Sequence, residues 1–237
     1  MIDMVKLSQK AENVYVGVNC GIMDQFAIGM GKKDYAIKLN TNDLSYEYAK
    51  ANLGDNSILI MNTNKKRELA DSKYNERRQE CDAALELLKT VVDINFLCDL
   101  TVAEFDRVSN VINKDVLYRR AKHAVTENER VKLAIEVLAS GDLHRFGKLL
   151  NESHKSLRDD YEVTGIHLDT LVHEALKIEG CIGARMTGAG FGGCAIALVN
   201  NNKVEEFKEK VSVAYQKVTG ITPSFYTSNI GEGTHVL

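Results

Sequence analysis

No apolar run in the 237 residues approaches the roughly 20 residues of a transmembrane helix, and the first ten residues are too polar for a signal peptide. The net charge of −3 argues against a general nucleic-acid or anionic-membrane surface. The five cysteines are odd in number, irregularly spaced and without a C-x-x-C pair, which argues against a disulfide framework and a zinc site. These absences predict a soluble cytoplasmic protein that binds neither nucleic acid nor membrane.

Several catalytic patterns are also missing. The sequence has no H-E-x-x-H and no G-x-S-x-G, so a histidine-based metal site or hydrolase site gets little support. No Lys-Ser or Lys-Thr follows its glycine cluster, so that cluster is not a Walker A loop. The chemistry must therefore come from other residues.

What the sequence does contain is a run with four glycines in six residues. Its letters fit G-x-G-x-x-G, but a dinucleotide loop opens a helix, whereas the residues that follow, Cys194–Val199, are typical of a strand. We therefore predict a turn between strands 181–186 and 194–199, suited to lie against a phosphate or a sugar. Glycines in such a turn imply positive φ or close approach to another backbone. They are Gly188, Gly190, Gly192 and Gly193.

The elements predicted after residue 56 follow a β-α-β-β-α-β pattern, which is ferredoxin-like. The strands and helices of this pattern cover 57–61, 167–179, 181–186, 194–199, 204–218 and 223–230. The first crossover holds an inserted helical bundle, whose long helices are predicted over 72–89, 115–139 and 142–158. The predicted fold class is α+β with a helical insertion.

The first 55 residues have a different organisation. Helical spacing starts at once and predicts a helix over 2–13, and a short second helix begins near Gly21. Residues 35–39 and 46–48 predict a β-hairpin around a turn-rich tetrad. A helix without a leader indicates that the sequence begins inside a larger fold.

Asp24 is the first candidate for chemistry, because it stands among apolar neighbours just after Gly21. A carboxylate held there can act as a general base toward a hydroxyl, typically worth about 10²–10⁴ in rate. The alternative is that Asp24 only caps a helix.

Glu12 is a candidate metal ligand only if Asp24 folds back beside it, since two neighbouring carboxylates suit Mg²⁺ and phosphate chemistry. Otherwise Glu12 is an ordinary solvated helix residue.

Tyr74 is the third candidate, in the first turn of the 72–89 helix. Its hydroxyl can be offered to a ligand, or its ring can simply pack. Arg77 and Arg78 are suited to face an anion, but Glu76 and Glu80 are placed to form ordinary ion pairs on the same helix.

Taken together, Cys20–Phe26, the segment around Tyr74 and Met186–Cys194 closely resemble the galactokinases, members of the GHMP small-molecule kinases. The resemblance runs from about Asp3 to the C-terminus. It implies a GHMP kinase C-terminal domain over 56–237. It also implies that 1–55 is a remnant of the family's N-terminal domain, which has a ribosomal protein S5 domain 2-like fold.

The resemblance implies transfer of the ATP γ-phosphoryl group to the C1 hydroxyl of galactose, mostly by positioning and charge stabilisation. Asp24 matches the family's proposed base on that hydroxyl, and Gly21 and Tyr74 match positions at the sugar. Glu12 matches a carboxylate that helps to hold Mg²⁺. The glycine turn matches the third family motif, which shapes the cleft beside substrate and phosphates.

The sequence also departs from the family pattern. Galactokinases carry an Arg-rich segment with Gly-Glu-His and a Pro/Gly/Ser-rich loop around the ATP phosphates, and neither occurs here. We therefore predict a C-terminal portion of a galactokinase that is inactive alone and binds neither ATP nor Mg²⁺ tightly. Unpartnered apolar faces in 1–55 predict a dimer or another association, or local disorder before about residue 55. The alternatives are a non-catalytic galactokinase-like sugar sensor or structural module, and a kinase for another hexose.

Overall fold

The computed structural model describes residues 1–17, 20–65 and 70–235. The chain separates into two compact units. The first unit joins Met1–Gly54 with Ile135–Asp142 and Asn229–Leu237, and the second unit joins Asp55–Ala134 with Leu143–Ser228. Among the described residues, no helix is long and apolar enough to cross a membrane.

The first unit begins with two helices. Helix α1 covers Ile2–Lys10 and continues as a π-helical segment over Ala11–Val16, where the sequence predicts plain α-helix to residue 13. Helix α2 covers Met23–Met30, which confirms the short helix after Gly21. A small core joins the two helices through Val5, Ile22 and Phe26.

The predicted hairpin is present in the first unit as strands β1, Tyr35–Leu39, and β2, Tyr46–Lys50, paired antiparallel. The Tyr48 hydroxyl donates a hydrogen bond to the Met30 carbonyl at 2.6 Å, which ties β2 to the end of α2. The C-terminal segment also belongs to this unit. The Gly233 amide donates to the Gly31 carbonyl at 2.9 Å, and the Thr234 amide donates to the Ile28 carbonyl at 2.8 Å.

The second unit is built on strand β3, Asn56–Asn62, and a series of helices that follow it. These helices are α3, Ala70–Leu88; α4, Val102–Val108; α5, Asp115–Ser140, whose last residues from Ile135 belong to the first unit; α6, Leu143–Asp159; and α7, Gly165–Ala175. The sequence Thr101-Val-Ala-Glu104 predicts a capping box, and helix α4 starts with one. The Thr101 hydroxyl accepts from the Glu104 amide, and the Glu104 carboxylate accepts from Thr101.

The remaining elements are β4, Cys181–Thr187; β5, Cys194–Asn200; α8, Val204–Thr219; and β6, Ser224–Ser228. The four-stranded sheet has the order β4-β5-β3-β6, and all its neighbours are antiparallel. This order confirms the ferredoxin-like α+β fold with helices inserted in the first crossover. The sheet packs on α7 and α8 through buried side chains such as Leu59, Leu171 and Phe207.

Helix α7 ends four residues earlier than its sequence pattern predicts. Beyond Ala175 the backbone makes i→i−3 hydrogen bonds, from Lys177 to Glu174 and from Ile178 to Ala175. Such tighter turns satisfy the last carbonyls of a helix without continuing it. Gly180, with φ of +90°, then redirects the chain into β4.

Candidate functional site

Asp24 lies in the first turn of α2 and is exposed. Ile22 and Phe26 are buried, so they fix the inner face of the helix and leave the Asp24 side chain outside. Asp24 does not cap the helix, because the N-cap is Ile22 and no side chain caps it. Within the part of the chain that the structure describes, the Asp24 carboxylate makes no hydrogen bond or ion pair. Asp24 is therefore an exposed side chain without a partner among the described residues, held on a helix whose inner face is packed.

Glu12 lies in the π-helical segment and contacts both sides of the Asp24 segment. One oxygen of its carboxylate accepts from the Gln25 amide nitrogen at 3.0 Å, and the other accepts from the Cys20 thiol at 3.4 Å. Burial and the neighbouring Glu12 carboxylate raise the pKa of the Cys20 thiol. The structure therefore joins Glu12 to Gln25, the residue after Asp24, and shows no contact between the Glu12 and Asp24 carboxylates among the described residues.

These residues alone do not fit a magnesium site. No group of three or more His, Cys, Asp or Glu side chains capable of holding a metal occurs among the described residues. Glu12 offers one carboxylate, and both of its oxygens already accept hydrogen bonds.

The glycine turn connects β4 and β5, as its flanking patterns predict. Its four glycines all have positive φ, and so has Phe191 at +56°. A Cβ on Gly190 would lie 2.2 Å from the Val163 carbonyl oxygen, so only glycine fits there. Both predicted properties of the cluster, the backbone conformation and the close approach to another backbone, are present.

Tyr74 lies in the second turn of α3, because the helix begins at Ala70 rather than near residue 72. The residue is 37% exposed. Tyr161 is half-buried, and burial, the Cys81 thiol and then Tyr74 raise the pKa of its phenol. Tyr161 lies two residues before Val163, whose carbonyl accepts a hydrogen bond from the Phe191 amide of the glycine turn.

The arginines after Tyr74 form ion pairs rather than a free anion site. Arg77 is buried and pairs with Glu80 at 3.1 Å and Glu76 at 3.7 Å. Arg78 is exposed and pairs with Asp82 at 3.0 Å. The ion-pair alternative in the sequence analysis is the one that the structure supports.

Sequence reasoning missed Arg120, which is 1% exposed in α5. A signal was available, because Arg120 has helical spacing with Leu117 and Ala124 and therefore lies on the apolar face of its helix. A charged residue on such a face is almost always paired when buried. Arg120 bonds Glu80 and Glu162, each at 2.6 Å.

The comparisons with known proteins agree with the resemblance in the sequence. Residues 134–217 match the family model described as GHMP kinases C terminal. The galactokinase of Clostridium tetani is 59% identical over 234 residues, which cover 99% of this chain and 60% of the relative. That of Ligilactobacillus salivarius is 55% identical over 236 residues, which cover 100% of this chain and 61% of the relative.

A solved structure gives the same result for the fold. The crystal structure of Lactococcus lactis galactokinase complexed with galactose matches with a TM-score of 0.96 and 51% identity, covering 100% of this chain and 61% of that chain. The chain contains a GHMP kinase C-terminal domain and is homologous to the galactokinases. It spans about 60% of the length of the curated relatives it matches.

Proposed function

We propose that this chain forms part of a galactokinase, which transfers the γ-phosphoryl group of ATP to the C1 hydroxyl of galactose. The observation that carries the proposal is 59% identity to a galactokinase over 99% of the chain.

The five cysteines are free thiols, and we place the protein in the cytoplasm because thiols persist in a reducing compartment.

Asp24 is the general base in this proposal. It would accept the proton of the sugar hydroxyl as the oxygen attacks the γ-phosphorus. Its exposure and its lack of a partner among the described residues support this role, because a base must be free to reach its proton. Gly21 and Tyr74, which are both exposed, would contact the sugar.

Glu12 would contribute one carboxylate to Mg²⁺ in the whole protein. Protein-bound Mg²⁺ commonly takes one or two carboxylates and completes its shell with water and substrate phosphates. The glycine turn would border the substrates.

We further propose that these 237 residues alone phosphorylate galactose negligibly and hold ATP and Mg²⁺ weakly. The sequence contains no Arg-rich segment with Gly-Glu-His and no Pro/Gly/Ser-rich phosphate loop. In phosphoryl transfer, donors that stabilise the transferring group supply most of the rate, and a general base cannot replace them.

The test is ADP release with galactose, measured for the whole protein and for this chain alone. In the whole protein, Asp24→Asn should lower kcat by about 10²–10⁴. The matched control is Asp3→Asn, because Asp3 is also an exposed aspartate in the first turn of a helix. Turnover by the 237-residue chain would contradict its proposed inactivity. A whole protein that binds galactose without releasing ADP would instead indicate a sugar sensor.

A further inference from the structure

The glycine turn is held from two sides by segments that are remote in sequence. The Phe191 amide donates to the Val163 carbonyl at 2.7 Å. On the other side, the Gly193 carbonyl accepts both from the Thr63 amide at 2.9 Å and from the Thr63 hydroxyl at 2.8 Å. Left-handed backbone at a non-glycine residue such as Phe191 persists only where the surroundings over-determine it. The position of the turn therefore depends on what fixes Val163 and Thr63.

The Val163 side is fixed by two buried arginines. Arg120 donates to the Asp160 carbonyl at 2.5 Å and to the Glu162 carboxylate at 2.6 Å. Arg77 donates to the Tyr161 carbonyl at 2.8 Å. Three consecutive residues before Val163 are thus held by guanidinium groups, whose planar and rigid donors fix geometry better than single-point contacts.

The Thr63 side is fixed by Tyr215, a fully buried residue of α8. Its hydroxyl donates to the Thr63 carbonyl at 2.8 Å and lies 3.1 Å from His167 Nδ1. A phenol has one proton and a backbone carbonyl can only accept, so His167 Nδ1 must be the donor to the hydroxyl. His167, Tyr215 and Thr63 therefore form a directed chain of hydrogen bonds that ends at the Gly193 carbonyl.

We propose that Arg120 and Tyr215 are positioning residues for the glycine turn, each acting through the segment that bonds the turn. Neither lies in the turn, and both are buried in the second unit. The part of this inference that concerns substrate rests on the proposed function, in which the turn borders the substrates. The part that concerns the position of the turn stands on the contacts alone.

Amide hydrogen exchange tests the two anchors separately. Tyr215→Phe keeps the ring and removes only the hydroxyl, and Arg120→Lys keeps the charge but not the multiple bonds. We expect exchange of the Thr63 amide in the first variant, and of the Phe191 amide in the second, to rise about tenfold relative to the Leu59 amide in the centre of β3. The matched control is Tyr118→Phe, because the Tyr118 hydroxyl bonds no described residue. Exchange that rises equally at Leu59 would show general destabilisation and would overturn the proposal.

Kinetics of the whole protein test the consequence for substrate. Tyr215→Phe should raise KM for galactose or ATP by about three- to tenfold, because a displaced turn weakens substrate contacts. Loss of folded protein would lower the apparent kcat and leave KM unchanged. Unchanged KM values would overturn the link to substrate. If the whole protein shows no galactose-dependent ADP release, the proposed function fails, and the exchange experiment still decides whether the anchors position the turn.

Discussion

At the residue scale, His123 shows how burial changes the pKa of a side chain. Its ring stacks on Tyr161 with centroids 4.5 Å apart, and its Nδ1 lies 3.0 Å from the Ser156 hydroxyl. Burial lowers the pKa of His123 to about 4, although the nearby Glu127 carboxylate opposes this shift. The imidazole is therefore neutral at physiological pH, and Glu127 bonds Ser153, Arg130 and Arg185 instead.

This low pKa predicts how stability depends on pH. Between about pH 6.5 and 4 the unfolded chain binds a proton at His123 and the folded chain does not, so folding loses up to about 3 kcal/mol on acidification through that window. Urea unfolding at pH 7, 6 and 5 should show a smaller pH dependence for His123→Gln than for the unchanged protein. His144→Gln, at an exposed histidine, is the control. Equal pH dependence in all three proteins would contradict the prediction.

A comparison of alanine substitutions at two glycines of the turn distinguishes the cost of backbone strain from the cost of a steric clash. Gly188 and Gly190 have similar φ, +78° and +83°, but a Cβ meets nothing within 4 Å at Gly188 and the Val163 oxygen at 2.2 Å at Gly190. Gly188→Ala should cost about 1–2 kcal/mol of unfolding free energy, the strain of left-handed backbone. Gly190→Ala should cost about 1–3 kcal/mol more, because overpacking adds to the same strain. Denaturant titrations of both variants measure the difference, and equal losses would show that the turn simply moves away from Val163.

At the residue scale, the sequence allows the glycine turn to be predicted, but not the residues that hydrogen-bond to it. Four glycines between two strand patterns require positive φ, which is a local property. Val163 and Thr63, which bond the turn, are remote along the chain, and no local pattern reveals such partners. Asp24 and Glu12 were found as candidates in the same local way, and their roles in chemistry remain proposals.

At the element scale, the contact of α6 with β4 depends on paired glycines. Gly147 of α6 lies against β4, where an added Cβ would be 2.2 Å from the Ile182 carbonyl oxygen, and a Cβ on Gly183 would be 2.4 Å from the Gly147 oxygen. The Asn151 side chain accepts from the Ala184 amide at 2.9 Å and fixes the same contact. Helix and strand thus meet backbone to backbone.

This contact predicts a reversal of the usual effect of alanine. In an exposed helix interior, glycine to alanine stabilises by about 1 kcal/mol. Gly147→Ala should instead destabilise by about 1–3 kcal/mol, because backbone atoms cannot move aside as a flexible side chain would. Thermal unfolding gives the sign directly. A stabilised Gly147→Ala variant would show that α6 separates from β4 at little cost.

Elements with a strong local signal were predicted well, and those decided by tertiary contacts were not. The hairpin in the first unit, the capping box at Thr101 and the end of α8 at Gly220, with φ of +73°, follow from residues within a few positions of each other. The π-helical segment after Lys10 does not, since its side chains bond across to Cys20 and Gln25. No spacing rule contains that information.

At the scale of the whole molecule, the first unit exposes an apolar surface on its helices. Met4 and Leu7 are each about 60% exposed at helical spacing, and Tyr15 and Ile28 are exposed at 92% and 66%. Exposed groups of this kind commonly mark an interface. This surface is the place where we expect the association that the sequence analysis predicts.

Sedimentation velocity tests that expectation. The chain should sediment as a dimer or larger species at micromolar concentration, and Leu7→Asp combined with Ile28→Asp should shift it to monomer. Val213→Asp is the matched control, because Val213 is 65% exposed on α8 of the second unit. A monomer at all concentrations would contradict the prediction, and so would equal loss of association in the control.

The pairing of the C-terminal segment with the end of α2 has a consequence for synthesis. Ile28 and Thr234 lie 206 positions apart, so a ribosome that adds about 5–20 residues per second completes their contact roughly 10–40 s after it has made α2. The second unit can begin to fold during that interval, while the first unit waits for Gly233 and Thr234. Nascent chains are therefore expected to present the helices of the first unit to chaperones until these two residues have been made.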